Sequence, residues 1–177
     1  SLDNLIVTGD IAKITSYPYE ADFETEIQHS TTPATTGFTF VKDGWRNTQI
    51  GDGADWRADA GGTTSTDTGP GGGASSGASD HTPGTSDGFY LYFESSTPNY
   101  PNINSYLLTP VFDLTSNSYP IMEFWYNMYG VDMGTLKMQA STDGGNTWSL
   151  ALMTITGDQG SEWTQAILDL VDYRGET

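Results

Sequence analysis

The chain has no cysteine, two histidines (His29 and His81), and only six lysines and arginines together. Without cysteine there is no disulfide framework and no thiolate metal site. Six basic residues against 23 acidic ones leave a formal charge of −17 over 177 residues. Phosphate backbones call for clustered Lys and Arg, so the chain is not expected to bind nucleic acid. The same sign of charge argues against anionic membrane surfaces. No apolar run approaches the roughly 20 residues that cross a bilayer, so membrane insertion is not expected. Ser1-Leu2-Asp3-Asn4 carries neither the charged nor the apolar region of a signal peptide, and the chain reads as a piece of a longer mature protein with neighbouring domains. Catalytic signatures are missing as well. There is no His-Glu-x-x-His and no Gly-x-Ser-x-Gly, so His81 beside Asp80 reads as loop structure rather than a hydrolytic pair. Glu94 and Glu123 lie in candidate strands, but nothing places them across a groove as a glycosidase would need.

What is present is one domain's worth of short strands. Leu136, Met138 and Ala140 alternate with Lys137, Gln139 and Ser141, the period-2 pattern of a half-buried strand. Ala166, Leu168 and Leu170 repeat it. Phe89 to Phe93 and Ile121 to Tyr126 are aromatic-rich strand candidates. Gly and Pro turns separate them, and helical periodicity is scarce. The pattern predicts an all-β sandwich or barrel. Residues 1–22 read as a leading segment, either a linker or a first strand, with Leu5 to Val7 and Ile11 to Ile14 as strand candidates. Residues 61–79 are almost wholly Gly, Ser, Thr and Ala and predict a surface loop, with a binding loop across one face as the alternative.

Three groups of residues carry candidate chemistry. Ser141, Asp143, Gly145, Thr147 and Trp148 fit an Asp-box, Ser-x-Asp-x-Gly-x-Thr-Trp, which predicts a hairpin turn with Trp148 plugging the sheet. Oxygen-rich loops suit a hard cation such as Ca2+. Asp22 and Glu24 lie at the start of the first core strand, Asp52 and Asp55 flank a glycine turn, and Asp80 opens a polar loop. The competing expectation is that such acids only cap turns. Trp45, Tyr100 and Tyr119 sit among polar or Pro/Gly neighbours, and are the candidates for stacking on a glycan or other ligand.

An ordered set of segments then points to a family. It comprises Phe23-Glu24, Asp55-Trp56-Arg57, Thr68-Gly69-Pro70, the run from Asp80-His81-Thr82 through Phe89-Tyr90-Leu91-Tyr92-Phe93-Glu94, and Leu107-Leu108-Thr109-Pro110. Phe124 to Gly130 and Gly157 to Trp163 complete it. The set resembles the MAM domain, the extracellular adhesion module of meprins, neuropilins and receptor tyrosine phosphatases, and looks most like the version in bacterial secreted proteins.

The resemblance covers residues 23–177 and implies a jelly-roll-like sandwich of two antiparallel sheets. It implies a non-catalytic, secreted or cell-surface adhesion module, calcium-stabilised, binding an extracellular protein or glycan. The alternatives are a carbohydrate-binding module beside a polysaccharide-degrading enzyme, or a spacer in a surface filament. Glu24 and Asp80 become the leading Ca2+ ligands, with Asp52, Asp55 and carbonyls near Thr85 or Asp87 completing the shell. Trp56, Trp125 and Trp163 become core or sheet-packing residues. Two departures stand out: animal members pair cysteines, and the family continues with two more strands after the stretch that ends here at Thr177, the last carrying an acidic pair near the cation site.

Overall fold

The computed structural model of the chain describes residues 13–29, 36–48, 51–62, 66–73, 79–95 and 103–177. The strand candidates over Leu5 to Val7 and the start of Ile11 to Ile14 lie outside these residues, as does Tyr100. The fold is all-β, of the sandwich type that the sequence predicts. Helix among the described residues amounts to two three-residue 3-10 turns, Pro70–Gly72 and Val171–Tyr173.

The strands pair as five two-stranded ladders. β1 (Lys13–Ile14) runs parallel to β6 (Val111–Phe112). The others are antiparallel: β2 (Arg46–Asn47) with β5 (Leu107–Leu108), β3 (Arg57–Ala60) with β4 (Phe89–Tyr92), β7 (Ile121–Met128) with β10 (Gly160–Asp169), and β8 (Thr135–Met138) with β9 (Met153–Thr156). The β1 end of the leading segment is thus part of the sandwich. Tyr17 fastens it, donating its hydroxyl to the carbonyls of Ile14 and Asp113. Lys13 pairs with Asp113 at 3.2 Å.

The period-2 readings translate directly into faces. On β8, Thr135 and Lys137 are exposed while Leu136 and Met138 turn inward. On β10, Ala166 and Leu168 are buried between exposed Gln165, Ile167 and Asp169. Met128 and Leu114 are buried as well. Truncating Leu168 to Ala would cost roughly 2–5 kcal/mol, the usual range for a buried leucine. Strand β3 breaks the alternation. Arg57, Ala58 and Asp59 are all buried, so both of its faces are covered.

The Gly/Ser-rich stretch is tied down where it is described. Thr66 bridges Gly73, and the Gly69 N–H donates to the Tyr129 carbonyl at 3.1 Å. Its far end, Ser79, accepts the indole N–H of Trp163.

Candidate cation-binding loop

The segment Asp80 to Gly88 folds around one carboxylate. Asp80 is 2% exposed. Its Oδ1 accepts the backbone N–H groups of Gly84 and Thr85, at 3.0 and 2.9 Å, which closes the loop on itself. Its Oδ2 has neither solvent nor a hydrogen-bond partner among the described residues. A buried carboxylate oxygen without a donor is costly, and native proteins seldom leave one so. Gly88 lies directly against this carboxylate. A Cβ there would come within 2.3 Å of Oδ1, so only glycine fits.

Glu24 approaches the same place from the first core segment. Its Oε1 accepts the N–H of Phe89, the residue after Gly88, at 2.8 Å. Asp22 supports it from behind: Oδ1 accepts the Glu24 N–H at 3.3 Å and pairs with Lys42 at 3.6 Å. Glu24 and Asp80 therefore meet adjacent backbone positions, Phe89 and Gly88. The segment holding Asp22 and Glu24 is not the start of a strand, as the sequence predicts, but a turn in which the Glu26 N–H donates to the Phe23 carbonyl.

Asp52 and Asp55 are placed differently. They line a polar pocket of about 250 Å³ with Thr36, Gly37 and Thr48. Asp52 Oδ2 accepts the Thr48 hydroxyl at 2.6 Å and the Tyr106 N–H at 3.2 Å. Asp55 is buried, and its Oδ2 accepts the N–H groups of Gly37 and Phe38 at 2.6 and 3.0 Å. Nowhere among the described residues do three acidic or histidine side chains converge as a ligand cluster. Asp52 and Asp55 use these oxygens to tie distant backbone segments to the 51–55 turn.

Two buried carboxylates escaped the sequence reading. Glu26 clamps both N–H groups of Val41 and Lys42, at 2.8 and 2.7 Å. Asp59 accepts from Gln28 and from the Ala60 N–H. Burial pushes the Asp59 carboxyl above its ordinary range, against the lowering pull of its hydrogen bonds. No local signal pointed to Glu26: the chain turns at Phe23, whose carbonyl accepts the Glu26 N–H, and Glu26 reaches Val41 and Lys42 across 15 and 16 positions.

Among the stacking candidates, Trp45 is half-buried. It packs edge-on against Phe23 and donates its indole N–H to Tyr19. Tyr119 is 84% exposed. Trp125 faces outward rather than into the core, stacked on His81 with ring centroids 3.7 Å apart. The Asp-box closes as expected. Asp143 accepts the Thr147 N–H and hydroxyl and the Ser141 hydroxyl, and these bonds lower its carboxyl to about 2. Trp148 is 48% exposed and does not plug the sheet.

The profile of the MAM domain, meprin/A5/mu, matches residues 38–176. The chain belongs to the MAM domain family. It is 31% identical over 94 residues to MAM domain-containing glycosylphosphatidylinositol anchor protein 2 of Mus musculus, covering 49% of this chain and 10% of that protein. It is 28% identical over 83 residues to the corresponding protein 1 of Gallus gallus, covering 47% and 9%. Against Neuropilin-1 of Xenopus laevis it is 30% identical over 82 residues, covering 46% and 9%. The matched stretch is about a tenth of each of these relatives. No solved structure matches the chain significantly. A MAM domain is an extracellular module of the adhesion type, and this chain is one. No helix among the described residues is long and apolar enough to cross a membrane.

Proposed function

We propose that this MAM domain is a non-catalytic binding and adhesion module whose Asp80–Gly88 loop is held to its first core segment by one calcium ion. The observation that carries the calcium reading is Asp80 Oδ2, a buried carboxylate oxygen with no donor facing it among the described residues. A hard cation supplies the missing positive charge and takes the remaining ligands from oxygens. Asp80 would hold it, and Glu24 stands at the neighbouring backbone position to contribute. Asp22 orients Glu24, while Asp52 and Asp55 belong to the separate pocket. The ion's role is to fix a loop, which suits a module that displays a surface.

Terbium luminescence, sensitised by the nearby aromatic rings, tests the site. Binding that calcium displaces and that Asp80→Asn abolishes supports the assignment. Unchanged luminescence in Asp80→Asn would refute it.

The lack of cysteine supports placement in a bacterial secreted or surface protein, because animal members of the resembling type pair cysteines. A parent gene found in an animal genome would overturn that placement. The partner class is an extracellular protein or glycan. The exposed rings of Tyr119 and Trp148 favour the second reading, a carbohydrate-targeting module. Retention on immobilised polysaccharide, lost on Tyr119→Ala, would select it over protein binding.

A further inference from the structure

The outer face of the β7–β10 ladder carries a pattern that the fold does not use. Ile121, Glu123 and Trp125 point out from β7, and Gln165, Ile167 and Asp169 from β10. The register sets Ile121 against Asp169, Glu123 against Ile167, and Trp125 against Gln165. Every apolar side chain therefore stands opposite a polar one. Sheets gain stability from like-natured or oppositely charged cross-strand pairs, and this face has neither. Ile121 and Ile167 are each 60% exposed and Trp125 is 42% exposed. They zigzag between the two strands, with Glu123 and Asp169 in the alternate positions.

Two further observations say what fits it. Trp125 is held in place by the His81 ring stacked on it, so the indole is a fixed anchor of the kind that dominates protein interfaces. Neither strand contains a Lys or Arg, whereas Glu123, Glu162 and Asp169 lie on them. We propose that this face docks an extended, cationic protein segment that alternates Lys or Arg with apolar side chains. The acids would meet the basic residues, and Ile121, Ile167 and Trp125 would take the apolar ones. A second copy of this chain is the wrong occupant, because each copy carries a formal charge of −17. The inference rests on the reading of the domain as a binding module, and names its surface.

The test uses the whole chain and a synthetic β-hairpin peptide with alternating Lys and Val on one face. Amide shift mapping is expected to confine the changes to residues 121–125 and 165–169. The pair Glu123→Lys with Asp169→Lys should weaken binding about tenfold or more, as expected for close charge pairs. The pair Glu20→Lys with Asp43→Lys changes net charge equally on other elements and should weaken it about twofold or less. Ile167→Thr keeps strand propensity and should also weaken binding with melting unchanged.

Equal losses from the two charge pairs, or shifts spread over other faces, would show unspecific attraction and overturn the proposal. So would self-association through residues 121–125, or quenching of Trp125 by a neutral oligosaccharide in place of the peptide. The calcium response reads separately: binding of the peptide at another face sinks this surface and leaves the binding-module reading standing.

Discussion

Residues 13–95 and residues 103–177 are held together in different ways. Among the described residues, all six buried polar or charged side chains fall in the first region: Glu26, Asn47, Asp55, Arg57, Asp59 and Asp80. The second region buries Leu114, Met128, Ala166 and Leu168, and carries the longest ladder, β7–β10. The first has short strands, and its loops are stitched by carboxylates that accept backbone N–H groups. The second relies on strand pairing and apolar burial. A carboxylate stitch satisfies several backbone donors at once without needing a long strand, which suits a loop-rich surface. It also makes that region answer to charge, protons and cations.

Protonation separates the two regions by sign. Burial raises Asp59, Tyr90 and Tyr92 in the first. Hydrogen bonds lower Asp113 and Asp143 in the second, the latter to about 2. A raised group stabilises the fold in its protonated form, and a lowered one in its ionised form.

The largest expected effect comes from breaking one stitch. Glu26→Ala strands the N–H groups of Val41 and Lys42 and should cost roughly 3 kcal/mol. Glu123→Ala, on the exposed face, should stay within about 0.5 kcal/mol. Urea titrations of both variants check the contrast, and equal losses would erase it.

Gly88→Ala comes next. The new Cβ meets the Asp80 carboxylate, so the loop must shift. The expected cost is about 2 kcal/mol, in the range of overpacking, together with loss of any calcium response. A variant that melts like the parent and still responds to calcium would mean that the loop is loose around Asp80.

A smaller effect follows from Asp59. Its folded pKa lies above the ordinary carboxylate value of about 3.9, so its charged form costs stability at neutral pH. That cost is relieved as pH falls through the folded value, and is gone below the unfolded one. Asp59→Asn should remove this contribution and flatten the rise in stability on mild acidification. Asp143 acts oppositely: its contribution is present above about 3.9 and is lost as pH falls towards about 2. Asp143→Asn should therefore loosen the 141–148 turn at neutral pH and matter less at pH 2, as seen by amide exchange of Gly145 and Thr147. An unchanged pH profile in both variants would remove the opposition between the regions.

The second region was the more legible in the sequence, because alternation reports burial only where one face is wet. Leu136–Met138 and Ala166–Leu168 obey it. Arg57-Ala58-Asp59-Ala60 alternates charged and small residues yet lies covered on both sides, so its buried Asp59 gave no sign. The resemblance made Trp125 core or sheet-packing, but the alternation of β7 puts it with Ile121 and Glu123 on the outer face, where the His81 ring stacks on it. The five acids fall into two places because Asp52 and Asp55 bond distant backbone N–H groups at a separate pocket, contacts with no local pattern.

Calorimetric melting of the parent chain and Asp80→Asn tests the proposed calcium site at Asp80 most directly. With free calcium about a hundredfold above its dissociation constant, the parent should gain about 3 kcal/mol over its EDTA-treated form. For a domain of this size that is a rise of roughly 6–12 °C. Asp80→Asn should melt at one temperature with or without calcium. Coincident parent curves in calcium and in EDTA would contradict the account.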